Sequence, residues 1–109
     1  MAFNESLAER VRQALVRRKG ITEKKMFGGI GFLLHGNMLL GVWKESLIVR
    51  LDPDEYEDVL KEPFVKEFDI TGTPMKGWVL VEPAGIEENE QLKGWIGRAV
   101  KFVGKLPRK

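Results

Sequence analysis

The middle of the chain contains three consecutive apolar segments, and two turn-forming residues separate each segment from the next. The segments span residues 25–35, 38–44 and 47–51, with Gly36-Asn37 and Glu45-Ser46 between them. Short apolar runs between turn residues are typical of antiparallel strands joined by tight hairpins. Gly36-Asn37 suits a type II′ turn, because glycine readily takes the positive φ of the first central position. This part of the chain therefore predicts three antiparallel strands.

Helical periodicity predicts a helix at each end of the chain and a short helix after the third strand. The long helices span residues 4–19, with Asn4 or Ser6 as the N-cap, and residues 87–104. Asp52 and Pro53 begin the short helix, which reaches about Lys61. Two further strands are predicted over residues 65–71 and 76–82, with a turn at 71–74. The order α-β(3)-α-β(2)-α predicts a two-layer α+β domain, residues 1–109, in which helices cover one face of a five-stranded antiparallel sheet.

Composition excludes several classes of protein. The 109 residues contain no cysteine and one histidine, so disulfides and iron–sulfur clusters are excluded and a zinc site has too few ligands. No apolar run reaches the ~20 residues that span a bilayer, and the first residues do not resemble a signal peptide. We expect a cytoplasmic protein with no membrane partner, no metal and no cofactor.

The glycine-rich stretch at residues 28–31 does not have the pattern of a phosphate-binding loop. A P-loop needs lysine and serine or threonine after its last glycine, but Phe32 and Leu33 follow here. A dinucleotide fingerprint would open a helix, and the following residues are typical of a strand. Gly28-Gly29 therefore predicts a bulge or kink in the first strand.

No catalytic residues can be assigned from the sequence. His35 stands beside a predicted turn, and no second histidine accompanies it. An acidic group at the start of the short helix is explained by capping and by the helix dipole, although an enzyme that uses this segment remains an alternative. The group consists of Asp52, Asp54, Glu55, Glu57 and Asp58.

The predicted hairpins give the sheet two apolar faces. Two-residue turns would place Leu33 opposite Leu40, and Gly31 and Val49 opposite Val42. Antiparallel sheets normally leave one face polar, so the second apolar face predicts binding of a partner protein or of a second copy of the chain. Coverage by a helix or terminal segment of the chain itself is the alternative. The predicted interaction surface consists of Ile30, Phe32, Leu34, Leu39, Trp43 and Ile48.

Charge is unevenly distributed along the chain. Residues 52–92 carry twelve acidic and three basic side chains, whereas residues 93–109 carry six basic and no acidic ones. Arg98, Lys101 and Lys105 project together from the last predicted helix and form a candidate basic surface. Nucleic-acid binding through the basic terminal helices is therefore a second possibility, although stacking aromatic residues do not accompany these cations.

Four motifs resemble the N-terminal domain of the TfoX/Sxy family. They are KMFGGIGF at residues 25–32, LIVRL at 47–51, MKGW at 75–78 and LKGWI at 92–96, and the similarity extends over about residues 4–106. The resemblance implies a two-layer α+β fold like that of secretion chaperones, with helices on one side of an antiparallel sheet.

The same resemblance implies a regulatory, non-enzymatic role. Full-length family members regulate natural competence in bacteria as coactivators beside a cyclic-AMP receptor-type transcription factor. They carry a second, C-terminal helical domain, and the similarity here is to the first domain, so a stand-alone interaction module is expected. The family has no established catalytic residues, and the resemblance therefore implies none for this chain.

Overall fold

The computed structural model describes residues 4–26, 28–68 and 76–107. Three helices and six strands make up this part of the chain, together with 3₁₀ turns at Pro53–Glu55 and Pro83–Gly85. In chain order the elements are α1 (Glu5–Ala14), β1 (Ile21–Met26), β2 (Gly29–Leu34), β3 (Asn37–Trp43), β4 (Ser46–Arg50), α2 (Tyr56–Val59), β5 (Val65–Glu67), β6 (Trp78–Val81) and α3 (Asn89–Val103). The predicted α+β class is confirmed.

The sheet is antiparallel and has six strands in the order β1-β2-β3-β4-β6-β5. The prediction of five strands is wrong, because the glycine-rich stretch is a hairpin turn instead of a kink. Met26 pairs with Gly29, and Gly28 between them has a φ of 78°, which glycine adopts without strain. The chain thus reverses direction here, and Ile21–Met26 becomes an additional edge strand.

The predicted turns between β2, β3 and β4 are each shifted by one residue. The first turn consists of His35 and Gly36, with φ values of 50° and 85°. Positive φ at both central positions is the type I′ pattern, so the predicted type II′ turn is wrong. The second turn consists of Lys44 and Glu45, since Trp43 pairs with Ser46.

A bulge in β3 reduces the change of register that the shifted turn produces. Phe32 pairs with Leu40, but Leu33 pairs with Met38, so Leu39 has no partner on β2. Beyond the bulge, Ile30 lies opposite Val42. The prediction placed Gly31 at that position. The pairing of β2 with β3 therefore differs from the prediction by one residue, which exchanges the faces of the β2 side chains.

Side-chain caps explain where the helices begin. Asn4 accepts a 3.0 Å hydrogen bond from the backbone N–H of Leu7, which confirms it as the cap of α1. Glu88 and Gln91 form a capping box at the start of α3. Asp52 caps the 3₁₀ turn that precedes α2 by accepting from the N–H of Asp54 at 2.9 Å.

Three elements are shorter than predicted. Helix α1 ends at Ala14 instead of Lys19, because the chain continues in tight turns after it. Helix α2 is a single turn, and β5 ends at Glu67. The predicted turn at residues 71–74 lies outside the described residues.

All three helices contribute to one hydrophobic core on one side of the sheet. Helix α3 packs against β3 and β4, and α1 packs against α3. Leu7 and Val11 of α1, Tyr56 and Val59 of α2 and the apolar side of α3 join one cluster of buried side chains. The sheet residues of this cluster are Ile30, Phe32, Leu34, Leu39, Leu40, Val42, Leu47, Val49, Val79 and Val81.

Candidate interaction surface

The opposite side of the sheet, which we call the outer face, bears apolar side chains and no described helix. Side chains alternate between the two faces of a strand, so the neighbours of the core residues define this face. Its central residues are Gly31, Leu33, Met38, Gly41, Trp43, Ile48, Trp78 and Leu80, as the register of β2, β3, β4 and β6 requires.

Ile48 lies at the centre of the outer face. Gly31 pairs with Gly41, Gly41 with Ile48, and Ile48 with Leu80, so these four residues form one row across the sheet. Ile48 has 0% relative exposure, whereas the five large side chains around Ile48 are half-buried. Those five are Leu33, Met38, Trp43, Trp78 and Leu80. The outer face thus presents a partly exposed apolar surface around a buried centre.

Trp43 lies at one end of this surface, beside the start of α1. The ammonium nitrogen of Lys44 lies 4.6 Å from the centre of the Trp43 ring, within the range of a cation–π contact. The backbone N–H of Asn4 donates a 2.6 Å hydrogen bond to the carbonyl oxygen of Lys44. These contacts fix the position of the β3–β4 turn and hold a positive charge against the indole.

Arg50 lies at the other end of β4. Its guanidinium carbon is 5.4 Å from the centre of the Trp78 ring and 5.8 Å from that of Phe102, and it donates a 3.3 Å hydrogen bond to the carbonyl of Met38. Burial lowers the pKa of Arg50 from its ordinary value. Arg50 thus connects the outer face to α3.

The structure relocates most of the predicted interaction surface. Ile30, Phe32, Leu34 and Leu39 lie in the core beneath the helices, because the observed register of β2 and the bulge at Leu39 turn them inward. Trp43 and Ile48 do lie on the outer face, but Ile48 is fully buried.

Leu33, Met38, Trp78 and Leu80 were not predicted as part of this surface. The His35-Gly36 pair is a type I′ signal, but that turn alone would leave Leu33 and Met38 on the face of Leu40, in the core. The bulge at Leu39 moves both residues to the outer face, and the apolar pattern of the sequence does not mark it.

The predicted basic residues of the last helix do not form one surface. Arg98 makes a 2.8 Å ion pair with Glu62 and lies 4.5 Å from the centre of the Trp95 ring. Lys101 lines a cavity of about 260 Å³ together with carboxylates of Glu55, Asp58 and Glu62. Lys105 lies beyond the end of α3. Acidic residues near α2 therefore face two of the three cations.

The acidic segment at residues 52–58 serves mainly as the start of the α2 region. Asp52 is occupied as a cap, and Glu55 and Asp58 face Arg98 and Lys101 across the cavity described above. Among the described residues, no group of three histidine, cysteine, aspartate or glutamate side chains is arranged to hold a metal ion. In the same part of the chain, every helix is too short or too polar to cross a bilayer.

Comparison with known families agrees with the fold and with the motifs. The family model described as TfoX N-terminal domain matches residues 13–103. The chain belongs to the TfoX N-terminal domain family. No curated protein and no solved structure matches the chain.

The match runs from the last two residues of α1 to the end of α3, so the TfoX N-terminal domain of this chain includes the whole sheet and the helix that packs on it. Family membership points to a module of the kind found in competence regulators. The predicted family is thereby confirmed over most of the chain.

Proposed function

We propose that this TfoX N-terminal domain is a non-enzymatic regulatory module that binds another protein through its outer face. The observation that carries the proposal is the ring of five half-buried apolar side chains around Ile48 on a sheet face without a described helix. Apolar side chains that are partly exposed and contiguous are typical of protein interfaces. Membership in the family supports placing this interaction in the regulation of transcription or competence.

The charges around the outer face favour a different protein over a second copy of the chain. Lys24 lies on this face opposite Gly31, and Lys44 stands beside Trp43. Neither forms an ion pair with a described residue, whereas Lys66 on the same face is paired with Glu82 at 3.2 Å.

Two copies meeting through this face would bring like charges together, which opposes association. Glu45 does not offset Lys44 there, because it lines a cavity beside α1 with Asn4 and Arg10. We therefore propose a partner that presents an apolar centre surrounded by acidic side chains.

Site-specific photo-crosslinking followed by binding measurements tests this proposal. A photoreactive amino acid replaces Met38 on the outer face, or the exposed Lys61 after α2, in the cell that produces the chain. We expect one partner to crosslink from position 38 and not from position 61. With that partner purified, Trp43→Glu should weaken binding at least about tenfold, because it replaces a large apolar side chain of the interface with a charge.

Phe64→Glu is the matched control, since Phe64 is 47% exposed and lies beside Gly85 and Trp95 in a cavity next to α3. It should change the affinity less than about twofold, as expected away from an interface. Equal crosslinking from both positions would contradict the proposal. Sedimentation of the pure chain as a dimer that Trp43→Glu dissociates would show a second copy as the occupant, and would overturn the proposed partner.

A further inference from the structure

Three segments of the chain converge at the end of the molecule opposite the start of α3. They are the turns after α1 at residues 15–20, the β2–β3 turn at His35-Gly36, and the residues after α3. Together they line a cavity of about 370 Å³, whose residues are Arg17, Arg18, Lys19, Leu34, His35, Gly104 and Leu106. We call this the basic junction.

Hydrogen bonds from the β2–β3 turn hold the three segments together. The backbone N–H of His35 donates to the carbonyl of Gly20 at 2.8 Å, and the imidazole packs against Gly20. The side chain of Asn37, with 4% relative exposure, donates a 2.8 Å hydrogen bond to the carbonyl of Pro107. The backbone positions of the cations are therefore fixed by the fold.

The basic junction carries a concentrated positive charge. Arg17, Arg18 and Lys19 are exposed, and so is Lys105, which stands between the lining residues Gly104 and Leu106. No described carboxylate lies in the lining, and none of the four cations forms an ion pair with a described residue.

Helix dipoles neutralise only part of this positive charge. The C-terminal ends of α1 and α3 both lie at the junction, and each is equivalent to roughly half a negative charge. Four side-chain cations against about one negative charge leave an excess of roughly three positive charges. This excess attracts a ligand with several negative groups.

We propose that the basic junction binds the phosphodiester backbone of a double-stranded nucleic acid. Three consecutive cations after α1 and a fourth after α3 suit a series of phosphates better than a single phosphate group. Single-stranded nucleic acids are usually held by stacking on aromatic rings, and His35 provides the single ring in the lining. Binding would be independent of sequence and weak, and it would leave the outer face free.

Fluorescence anisotropy with a labelled 24-base-pair duplex tests this proposal. We compare the parent chain with Arg17→Gln/Arg18→Gln and with the control Lys61→Gln/Lys93→Gln, which removes the same charge from other exposed positions. Contacts with about four phosphates predict that log K falls with log salt concentration with a slope of about −3 to −4. Arg17→Gln/Arg18→Gln should reduce that slope by about 2 and weaken binding at least tenfold at 50 mM salt.

The control and Arg17→Lys/Arg18→Lys should each stay within about threefold of the parent, since the first spares the junction and the second keeps its charge. Circular dichroism confirms that each variant is folded. DNA and RNA duplexes of the same sequence show which nucleic acid is bound, and binding of either one supports the proposal. It is overturned if the parent binds no duplex at 50 mM salt, if both Gln variants lose affinity equally, or if only anionic lipid vesicles are bound.

Discussion

The side-chain amide of Asn37 donates a 2.8 Å hydrogen bond to the backbone carbonyl of Pro107, seventy residues further along the chain. This bond attaches the β2–β3 turn to the segment that follows α3. We expect Asn37→Ala to lower the free energy of unfolding by about 1–2 kcal/mol, because it leaves a carbonyl without its partner in a part-buried position. Urea denaturation measures this change. Lys93→Ala is the control, since Lys93 is an exposed residue of α3 and its loss should cost less than about 0.5 kcal/mol. Equal effects of the two substitutions would contradict the attachment.

Gly20 and His35 form a second close contact at the same junction. Gly20 has a φ of 82°, and a Cβ placed there would lie 2.4 Å from atoms of the imidazole. Gly20→Ala should therefore destabilise the fold by more than about 1 kcal/mol. Gly94→Ala in α3 should instead stabilise it by up to about 1 kcal/mol, because a methyl group there meets open space.

Thermal unfolding of the single variants and of Gly20→Ala/His35→Ala separates the two causes of the loss at Gly20. The double variant should regain the stability that Gly20→Ala loses to the steric clash. It should not regain the stability lost to the positive φ. If Gly20→Ala is as stable as the parent, the described contact is wrong.

The ion pair between Arg12 and Glu23 makes stability depend on pH. Arg12 of α1 donates two 2.7 Å hydrogen bonds to the Glu23 carboxylate on β1, and these bonds hold the pKa of Glu23 below its ordinary value of 4.5. A lowered pKa in the folded state means that the stabilisation is complete above pH 4.5 and is lost as the pH falls through the folded pKa.

Glu23→Gln should therefore be less stable than the parent at pH 7, and the difference should shrink as the pH falls below 4.5. Because the pair is partly exposed, we expect a difference below about 1 kcal/mol that shrinks in high salt. Melting curves from pH 7 to pH 3 measure it. A difference that grows towards low pH would have the wrong sign for this account.

The elements with strong apolar patterns could be predicted from the sequence, and β1 could not. The strands β2, β3, β4 and β6 are mostly apolar, and α3 has a clear helical stripe. By contrast, β1 reads ITEKKM and contains Glu23, Lys24 and Lys25, residue types that are depleted in strands. It is a strand because it pairs with β2 at the edge of the sheet, where charged side chains remain in water.

The composition of the candidate site depended on the register, which the apolar pattern alone did not determine. Both faces of β2 are apolar, so a shift of one residue left a pattern that was equally apolar. The type I′ turn at His35-Gly36 and the bulge at Leu39 decide which of its side chains face the helices. Contacts between distant segments likewise determine which charged side chains lie together on the surface, and the sequence pattern does not show these contacts. Arg98 meets Glu62 through tertiary packing, while Arg17, Arg18 and Lys19 meet the segment after α3 at the basic junction.

Hydroxyl-radical footprinting tests the proposed interface most directly. The reaction oxidises methionine and aromatic side chains in proportion to their exposure, and mass spectrometry locates the products. The outer face offers Met38 and Trp43 as probes, and Phe64 serves as an exposed reference away from it. The same chain is labelled once in the cell that produces it and once as the purified protein.

We predict that labelling of Met38 and Trp43, relative to Phe64, is at least about threefold lower in the cell than in the purified chain, because apolar side chains buried in an interface lose most of their exposure. Equal relative labelling of Met38 and Trp43 in both states would contradict the outer face as a binding surface.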